Sequence, residues 1–441
     1  MTPPATLAVS LSDPSTSGPG VKGRRAARLT SPRPRPYDAP VAGRERAVLV
    51  GVALPGVPMS TVNAHLDELA QLVDTAGGDA VARVTQERRT PDSRSFVGKG
   101  KVAEIAAAVG EHGARLVVFD DDLSASQARH LEEALPDGVK VLDRAGVILD
   151  IFALRARTRE AQTQVELAQL TYTLSRLTRR WSHLSRQAGG IGTRGVGETQ
   201  LEIDRRAIRR RIAFLKESLD DVERERAQQR KRRASLPAVA LVGYTNAGKS
   251  TLFVALTGGR TVVEDRLFAT IDPRVRRAEL GEGAVVTVAD TVGFIRKLPH
   301  HLVASFRATL AEAALAQVVV HVVDVSHPGW PDQLRVGDEV LESLGVDPRG
   351  CLVVLNKVDR LDGAPPPPPD GRPALAVSAL TGAGVSALQQ AIRARILDHP
   401  DLEVLRFPPE GGEALQRALA ERSVIARRFT ADAVELVVRR R

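Results

Sequence analysis

The stretch "PAVALVGYTNAGKSTLFVALTG", residues 237–258, constrains this chain more than any other. An apolar run feeds the pattern G-x-x-x-x-G-K-S at Gly243–Ser250, and an amphipathic helical segment follows. That order is the strand–loop–helix setting a P-loop requires. The glycines let successive backbone N–H groups converge on phosphates at a helix N-terminus. Lys249 then supplies a point charge to the β- and γ-phosphates, and the Ser250 hydroxyl serves Mg²⁺. The surrounding fold is expected to be an α/β domain.

Three further signals follow in order, each after a buried strand pattern. "AVVTVAD" leads into Asp290-Thr291-Val292-Gly293, a strand-end carboxylate and a glycine whose N–H can meet the γ-phosphate. "CLVVL" leads into Asn356-Lys357-Val358-Asp359. The two oxygens of Asp359 can accept from guanine N1–H and N2–H₂, donors that adenine lacks in those places, and such a site discriminates strongly because an unpaired carboxylate is costly. "PALAV" leads into Ser378-Ala379-Leu380, suited to the guanine carbonyl. Between the P-loop helix and Asp290, "DRLFATIDPRVRR" carries Thr270, suited to close on Mg²⁺ and the γ-phosphate. Four such motifs in sequence indicate a GTPase.

The expected GTP-binding residues are Gly243, Tyr244, Thr245, Asn246, Ala247, Gly248, Lys249, Ser250 and Thr251, with Phe268, Ala269, Thr270, Ile271 and Asp272 in switch I. Asp290, Thr291, Val292, Gly293, Asn356, Lys357, Val358, Asp359, Ser378, Ala379 and Leu380 complete the set. Lys249, Thr270 and Gly293 are the catalytic candidates, and Ser250 and Thr270 the metal ligands. After Gly293 comes Phe294, where Ras-like GTPases place a water-orienting Gln, so intrinsic hydrolysis is expected to be slow.

Upstream, the chain alternates strand-like and helix-like segments from "AVLVGV" (47–52) through "KVAEIAAAVGEHG", "RLVVFDD" and "SASQARHLEEAL", with "VKVLDRAGVI" read as a last strand. Alternation of this kind implies a small parallel sheet. Gly98-Lys99-Gly100-Lys101 is either an anion-binding helix start or a tight turn with solvated lysines. Residues 1–44, rich in Pro, Ser, Gly and Arg, read as a disordered tail, with a transit peptide as a minor alternative.

Two long helical stretches, 158–187 and 199–233, separate the halves. Leu167, Leu170, Leu174 and Leu177 in the first, and Ile208, Ile212, Leu215, Leu219 and Val222 in the second, form heptad seams. They predict an antiparallel hairpin whose first arm reaches roughly 40 Å. Its tip is "GGIGTRGVGETQ". From Gly190 this stretch spells G-x-G-x-x-G, but the polar "LTRRWSHLSRQA" before it is no buried strand, which argues against the dinucleotide reading. Thr199 and Glu202 have capping-box spacing and open the second helix.

Charge suggests what the arm meets. The chain carries a net +9, and residues 205–233 hold twelve Lys or Arg against five Asp or Glu. A polyanion is the natural partner. Only 3% of residues are aromatic, which favours recognition through phosphates and shape over base stacking. The lone Cys351 excludes an internal disulfide framework and begins an apolar run, so a buried thiol is expected. No run reaches the ~18 apolar residues of a membrane helix. His300 and His301 lack a third ligand at metal spacing, and "PPPPP" (365–369) reads as a stiff loop.

The combination resembles HflX, a family of ribosome-associated GTPases of the translation-factor-related class. The resemblance spans roughly residues 45–441 and rests on "SFVGKGK", "VVFDDDLSASQARHLE", "LDRAGVILDIFALRARTREAQTQVELAQL", "RRWSHLSRQAGGIGTRGVGETQLEIDRR", "GYTNAGKSTLF" and "DTVGFIRKLPHHLVASFRATL". Val196 stands where the family usually has Pro, and Arg274 where a Thr usually follows the switch I "DP". What the resemblance implies is binding to the large ribosomal subunit, with the hairpin tip near the peptidyl-transferase region of ribosomal RNA. It also implies splitting or rescue of stalled ribosomes under heat or antibiotic stress. Gly189, Gly190, Gly192, Arg194, Gly195 and Gly197 are then candidate RNA contacts. Alternatives are a GTP-switched factor in large-subunit assembly and a nucleotide-driven RNA remodeller. The expected organisation is α/β: a tail (1–44), a small N-terminal parallel-sheet domain (45–157), a long antiparallel α-helical hairpin (158–234), a P-loop GTPase domain (235–400) and a small C-terminal α/β subdomain (401–441). A cytoplasmic monomer is expected.

Overall fold

Continuous apolar runs become strands wherever both faces can be covered. In the first half these are β1 (Glu45–Ala53), β2 (Gly78–Glu87), β3 (Leu116–Phe119) and β4 (Lys140–Asp143), joined in the order β2-β1-β3-β4, all parallel. Helices α1 (Met59–Thr75), α2 (Lys99–His112) and α3 (Ala125–Ala134) make the crossovers. The computed structural model describes residues 43–177, 200–233, 236–259, 266–281, 283–297, 312–399, 402–422 and 424–439. The expected tail, the tip residues Gly189–Gly197, Thr199 and the His300–His301 pair therefore lie outside the described residues.

One expectation fails. "VKVLDRAGVI" is not a single strand: β4 ends at Asp143, and α4 (Arg144–Arg155) begins at once. Asp143 caps that helix, its Oδ1 accepting the Gly146 N–H at 3.0 Å. A capped start converts the apolar run into a buried helix face, with Val147, Ile148, Ile151 and Phe152 all in the core. At Gly98 the N–H donates to Gln86 Oε1 at 2.9 Å, and Lys101 pairs with Glu104.

The arm follows. Thr158 caps α5 (Arg159–Arg176) by accepting the Ala161 N–H, and α6 (Gln200–Arg233) returns against it. Leu167 and Leu215 are buried on the seam, while most other described side chains of α6 are exposed. At 1.5 Å per residue its 34 residues extend about 51 Å.

The second sheet runs β10-β9-β8-β5-β7-β6. Its members are β5 (Ala238–Gly243), β6 (Arg274–Glu279), β7 (Val285–Asp290), β8 (Val318–Asp324), β9 (Leu352–Asn356) and β10 (Ala374–Val377), with only the edge strand β6 antiparallel. Helices α7 (Lys249–Thr257), α8 (Trp330–Ser343) and α9 (Val385–Leu397) cover it. Cys351 is buried just before β9, and burial pushes its thiol up to about 11. The C-terminal segment is a three-stranded antiparallel sheet, β11 (Leu402–Phe407), β13 (Val434–Arg439) and β12 (Val424–Phe429), crossed by α10 (Gly412–Glu421).

Residues Arg44–Arg441 form one compact unit, and one core spans the two parallel sheets. Leu66, Leu69 and Phe152 from the first half share it with Leu267, Phe268, Ile271, Val292 and Ile295 from the second. The Phe152 and Phe268 rings meet edge to face, centroids 4.8 Å apart. Switch residues are thus packed against the N-terminal sheet.

Candidate functional site

The carboxyl ends of β5, β7 and β9 converge on a cavity of about 390 Å³. Open parallel sheets hold ligands at that end, where helix N-termini and strand-end side chains meet. The P-loop glycines are sterically required: a Cβ on Gly243 (φ +140°) would lie 2.1 Å from the Val322 carbonyl, and one on Gly248 (φ +91°) 2.2 Å from Asn356 Nδ2. Lys249 is buried, its Nζ donating to the carbonyls of Gly243 (3.0 Å) and Tyr244 (2.8 Å). Burial lowers its pKa to about 8, opposed by Asp290.

Three oxygens gather beside it. Ser250 Oγ donates to Asp290 Oδ2 at 2.7 Å, Thr270 Oγ1 lies 2.8 Å from Ser250 Oγ, and Thr270 Oγ1 donates to the same Oδ2 at 3.2 Å. Asp290 is fully buried, its other oxygen Oδ1 has no hydrogen-bond partner, and burial raises its pKa. A buried carboxylate oxygen left over beside two hydroxyls is an oxygen donor set that suits a hard divalent cation. Thr270 in this place means that switch I is closed over the P-loop.

Switch II is zipped to the P-loop. Phe294 N–H donates to the Gly243 carbonyl at 3.0 Å, and Thr245 N–H to the Phe294 carbonyl at 2.7 Å. A Cβ on Gly293 would come within 2.6 Å of Thr245 Cα and 3.0 Å of Lys249 Nζ, so only glycine can bring its N–H to the phosphate end. The Phe294 side chain points away, into a core with Val242 and Leu341.

At the other end, Asn356 ties three loops together: its Nδ2 donates to the Ala247 carbonyl at 2.8 Å and its Oδ1 accepts Ala379 N–H at 3.0 Å. Lys357 (φ +65°) pairs with Asp324 at 2.7 Å. Ser378 Oγ donates to Asp359 Oδ1, which holds that carboxylate at the cavity wall.

Of the expected residues, Thr245, Asn246, Gly248, Lys249, Ser250, Thr251, Phe268, Ala269, Thr270, Ile271, Asp272, Thr291, Gly293, Asn356, Lys357, Asp359, Ala379 and Leu380 line the cavity. Gly243, Ala247, Asp290, Val292, Val358 and Ser378 stand behind this lining, and Tyr244 turns its side chain toward α1. Sequence reasoning missed Arg155, Arg157, Arg266 and Arg360, which also line it, as does Arg274. Arg155 ends α4, and Arg157 lies in the connection to α5. Only the fold carries that connection to the nucleotide site, so "RARTRE" gives no local signal. The connection is anchored: Asp272 accepts the N–H groups of Arg157 and Thr158, each at 3.3 Å, and the Thr158 hydroxyl.

The chain is also similar to known proteins. Family models described as GTP-binding GTPase N-terminal, GTP-binding GTPase Middle Region and 50S ribosome-binding GTPase match residues 63–153, 155–233 and 238–357. The GTPase HflX of Escherichia coli (strain K12) is 46% identical over 80% of this chain and 84% of that protein. The GTPase HflX of Magnetococcus marinus is 43% identical over 89% of this chain and 92% of that one. Among solved structures, a GTP-binding protein from Sulfolobus solfataricus in complex with GDP covers 80% of this chain and 98% of its own, at 23% identity and TM-score 0.41. No described helix is long and apolar enough to cross a membrane. With its P-loop and these matches, this GTP-hydrolysing chain belongs to the HflX GTPase family.

Proposed function

We propose that the chain binds the large ribosomal subunit and uses GTP binding and hydrolysis to split or rescue stalled ribosomes under stress such as heat or antibiotics. The observation that carries this reading is the junction of switch I with the arm, where Asp272 holds the Thr158 cap of α5. A change at the γ-phosphate end of the cavity is thereby felt at the root of a long helix pair. The excess of Lys and Arg along α6 supplies sequence-independent affinity for an RNA backbone. The tip residues Gly189–Gly197, with Arg194 as the one long cation among them, then probe the RNA. The division into tail, N-terminal domain, hairpin, GTPase domain and C-terminal subdomain given above belongs to this proposal, as do a cytoplasmic setting and a monomeric state.

In the hydrolytic site, P-loop N–H groups and Lys249 hold the β- and γ-phosphates, while the Gly293 N–H meets the γ-phosphate. Ser250 and Thr270, backed by Asp290, would hold Mg²⁺. Bound there, the ion neutralises charge on the phosphate oxygens. Asp359 selects guanine. Phe294 cannot orient water, so turnover in the free protein is slow and the ribosome accelerates it by orders of magnitude. Sucrose gradients of intact ribosomes with purified protein test the proposal, comparing GTP with a non-hydrolysable analogue. Conversion to free subunits dependent on the triphosphate form supports it. Stable binding to assembly intermediates in preference to mature subunits would replace it with the assembly reading.

A further inference from the structure

Glu68 lies on α1, in the N-terminal half, and is buried. Its Oε2 accepts the hydroxyl of Tyr244, the second P-loop residue, at 2.7 Å, and Arg296 Nη2 of switch II at 3.1 Å. Its Oε1 pairs with Arg144. The Tyr244 hydroxyl in turn accepts the Arg296 N–H at 2.9 Å. One residue on, Lys297 reaches Asp120 at 2.6 Å and Asp121 at 2.5 Å, and Asp120 also takes Arg144 at 2.6 Å. Lys297 does so with φ +51°, a conformation that a side-chain-bearing residue keeps only when its surroundings over-determine it.

Switch II supplies two of the cations in this cluster. Glu68, Asp120 and Asp121 face Arg144, Arg296 and Lys297. Without switch II, three carboxylates keep one guanidinium and, at Asp120, the His65 ring 3.6 Å away, and two of them are almost wholly out of water. Unpaired buried charge is strongly disfavoured, so the cluster is complete or broken, with little between. It is complete here, together with closed switches: Thr270 lies on Ser250 and Asp290, and Phe294 is zipped to the P-loop.

We propose that Glu68 is a positioning residue for GTP hydrolysis, holding the P-loop through Tyr244 and switch II through Arg296 in the closed, triphosphate-competent arrangement. The N-terminal half is then a working part of the nucleotide switch, and this holds for the isolated protein, independently of any ribosomal role. A ligand shifts such an equilibrium only by binding the two arrangements differently. The signature is therefore a changed preference between GTP and GDP.

The experiment uses the full chain with Glu68→Gln, Arg296→Met, the double variant, and Asp67→Asn as control. The control breaks an exposed pair with Arg83 on the same helix. Affinity for GDP and for a non-hydrolysable GTP analogue is titrated, single-turnover hydrolysis is timed, and thermal unfolding certifies the fold. Each single variant is expected to lose about tenfold in analogue-over-GDP preference and a similar factor in hydrolysis rate. The double variant should lose less than the two single losses multiplied, because the Glu68–Arg296 contact is common to both changes, and the control should match wild type. Folded variants with the wild-type preference would overturn the proposal. So would equal weakening of both nucleotides, or effects that simply add. Arg296→Met, whose side chain is partly exposed, keeps the test decisive if Glu68→Gln does not fold.

Discussion

Each parallel sheet ends one of its strands on a buried aspartate, and the two aspartates do opposite things. Asp143, at the end of β4, is saturated: Oδ1 accepts Gly146 N–H (3.0 Å) and the Tyr172 hydroxyl (2.8 Å), and Oδ2 accepts Leu123 N–H (3.2 Å) and Arg176. Asp290, at the end of β7, gives one oxygen to two hydroxyls and leaves the other without a partner. Both positions are the end of a parallel strand, where ligands gather in such folds. A saturated carboxylate locks helices to a sheet, whereas one with spare acceptor capacity is a place for something to bind. The N-terminal sheet has filled its carboxyl edge with internal bonds and with cations from switch II. It serves the nucleotide site as a docking wall.

The contrast breaks most visibly at Asp143. Asp143→Ala strands Arg176 and the Tyr172 hydroxyl and uncaps α4, and is expected to cost about 3–5 kcal/mol of stability. Nucleotide affinity of the molecules that remain folded should not change; thermal unfolding and titration together check both. Next in size, Lys249→Ala removes the cation from the phosphate site and should lower GTP turnover on the order of 10²–10³-fold with the fold intact. Measuring ATP hydrolysis in the same variant sharpens the comparison, because activity that survives there would give the N-terminal sheet a ligand after all. The smallest effect belongs to Asp290→Asn. Burial raises the carboxyl of Asp290, so its charged form destabilises the fold above the ordinary carboxylate range, and the amide lifts that penalty. Stability without nucleotide should hold or rise by about 1 kcal/mol. The tightening of GTP binding by magnesium should fall about 10- to 100-fold, read by titration with and without the ion.

What was legible in the sequence is what local chemistry decides. The P-loop, Asp290, Asn356, Asp359 and Ser378 each sit at a strand end whose apolar run announces it, and the seam leucines announce the arm. The end of β4 escapes the sequence reading because "VKVLDRAGVI" is otherwise apolar around three charges, Lys140, Asp143 and Arg144. The cap at Asp143, with Gly146 three residues on, was the available signal. The approach of Arg155 and Arg157 to the nucleotide cavity was illegible. So was the bond between Glu68 and Tyr244, 176 residues apart in sequence. Such contacts follow from how two sheets pack, and no short window of residues encodes that.

The mounting of the arm has a mechanical corollary. Helix α5 begins beside Thr158, held by switch I, while α6 runs to Arg233 and β5 opens at Ala238, five residues before Gly243 of the P-loop. The lever therefore stands on two feet, one at a switch and one leading into the phosphate-binding strand. A sideways push far along such a lever reaches its base as a torque, pulling on one foot while it presses on the other. The cavity borders the first of those feet, through Arg157 and Asp272, so that foot is where such a couple meets the phosphate site.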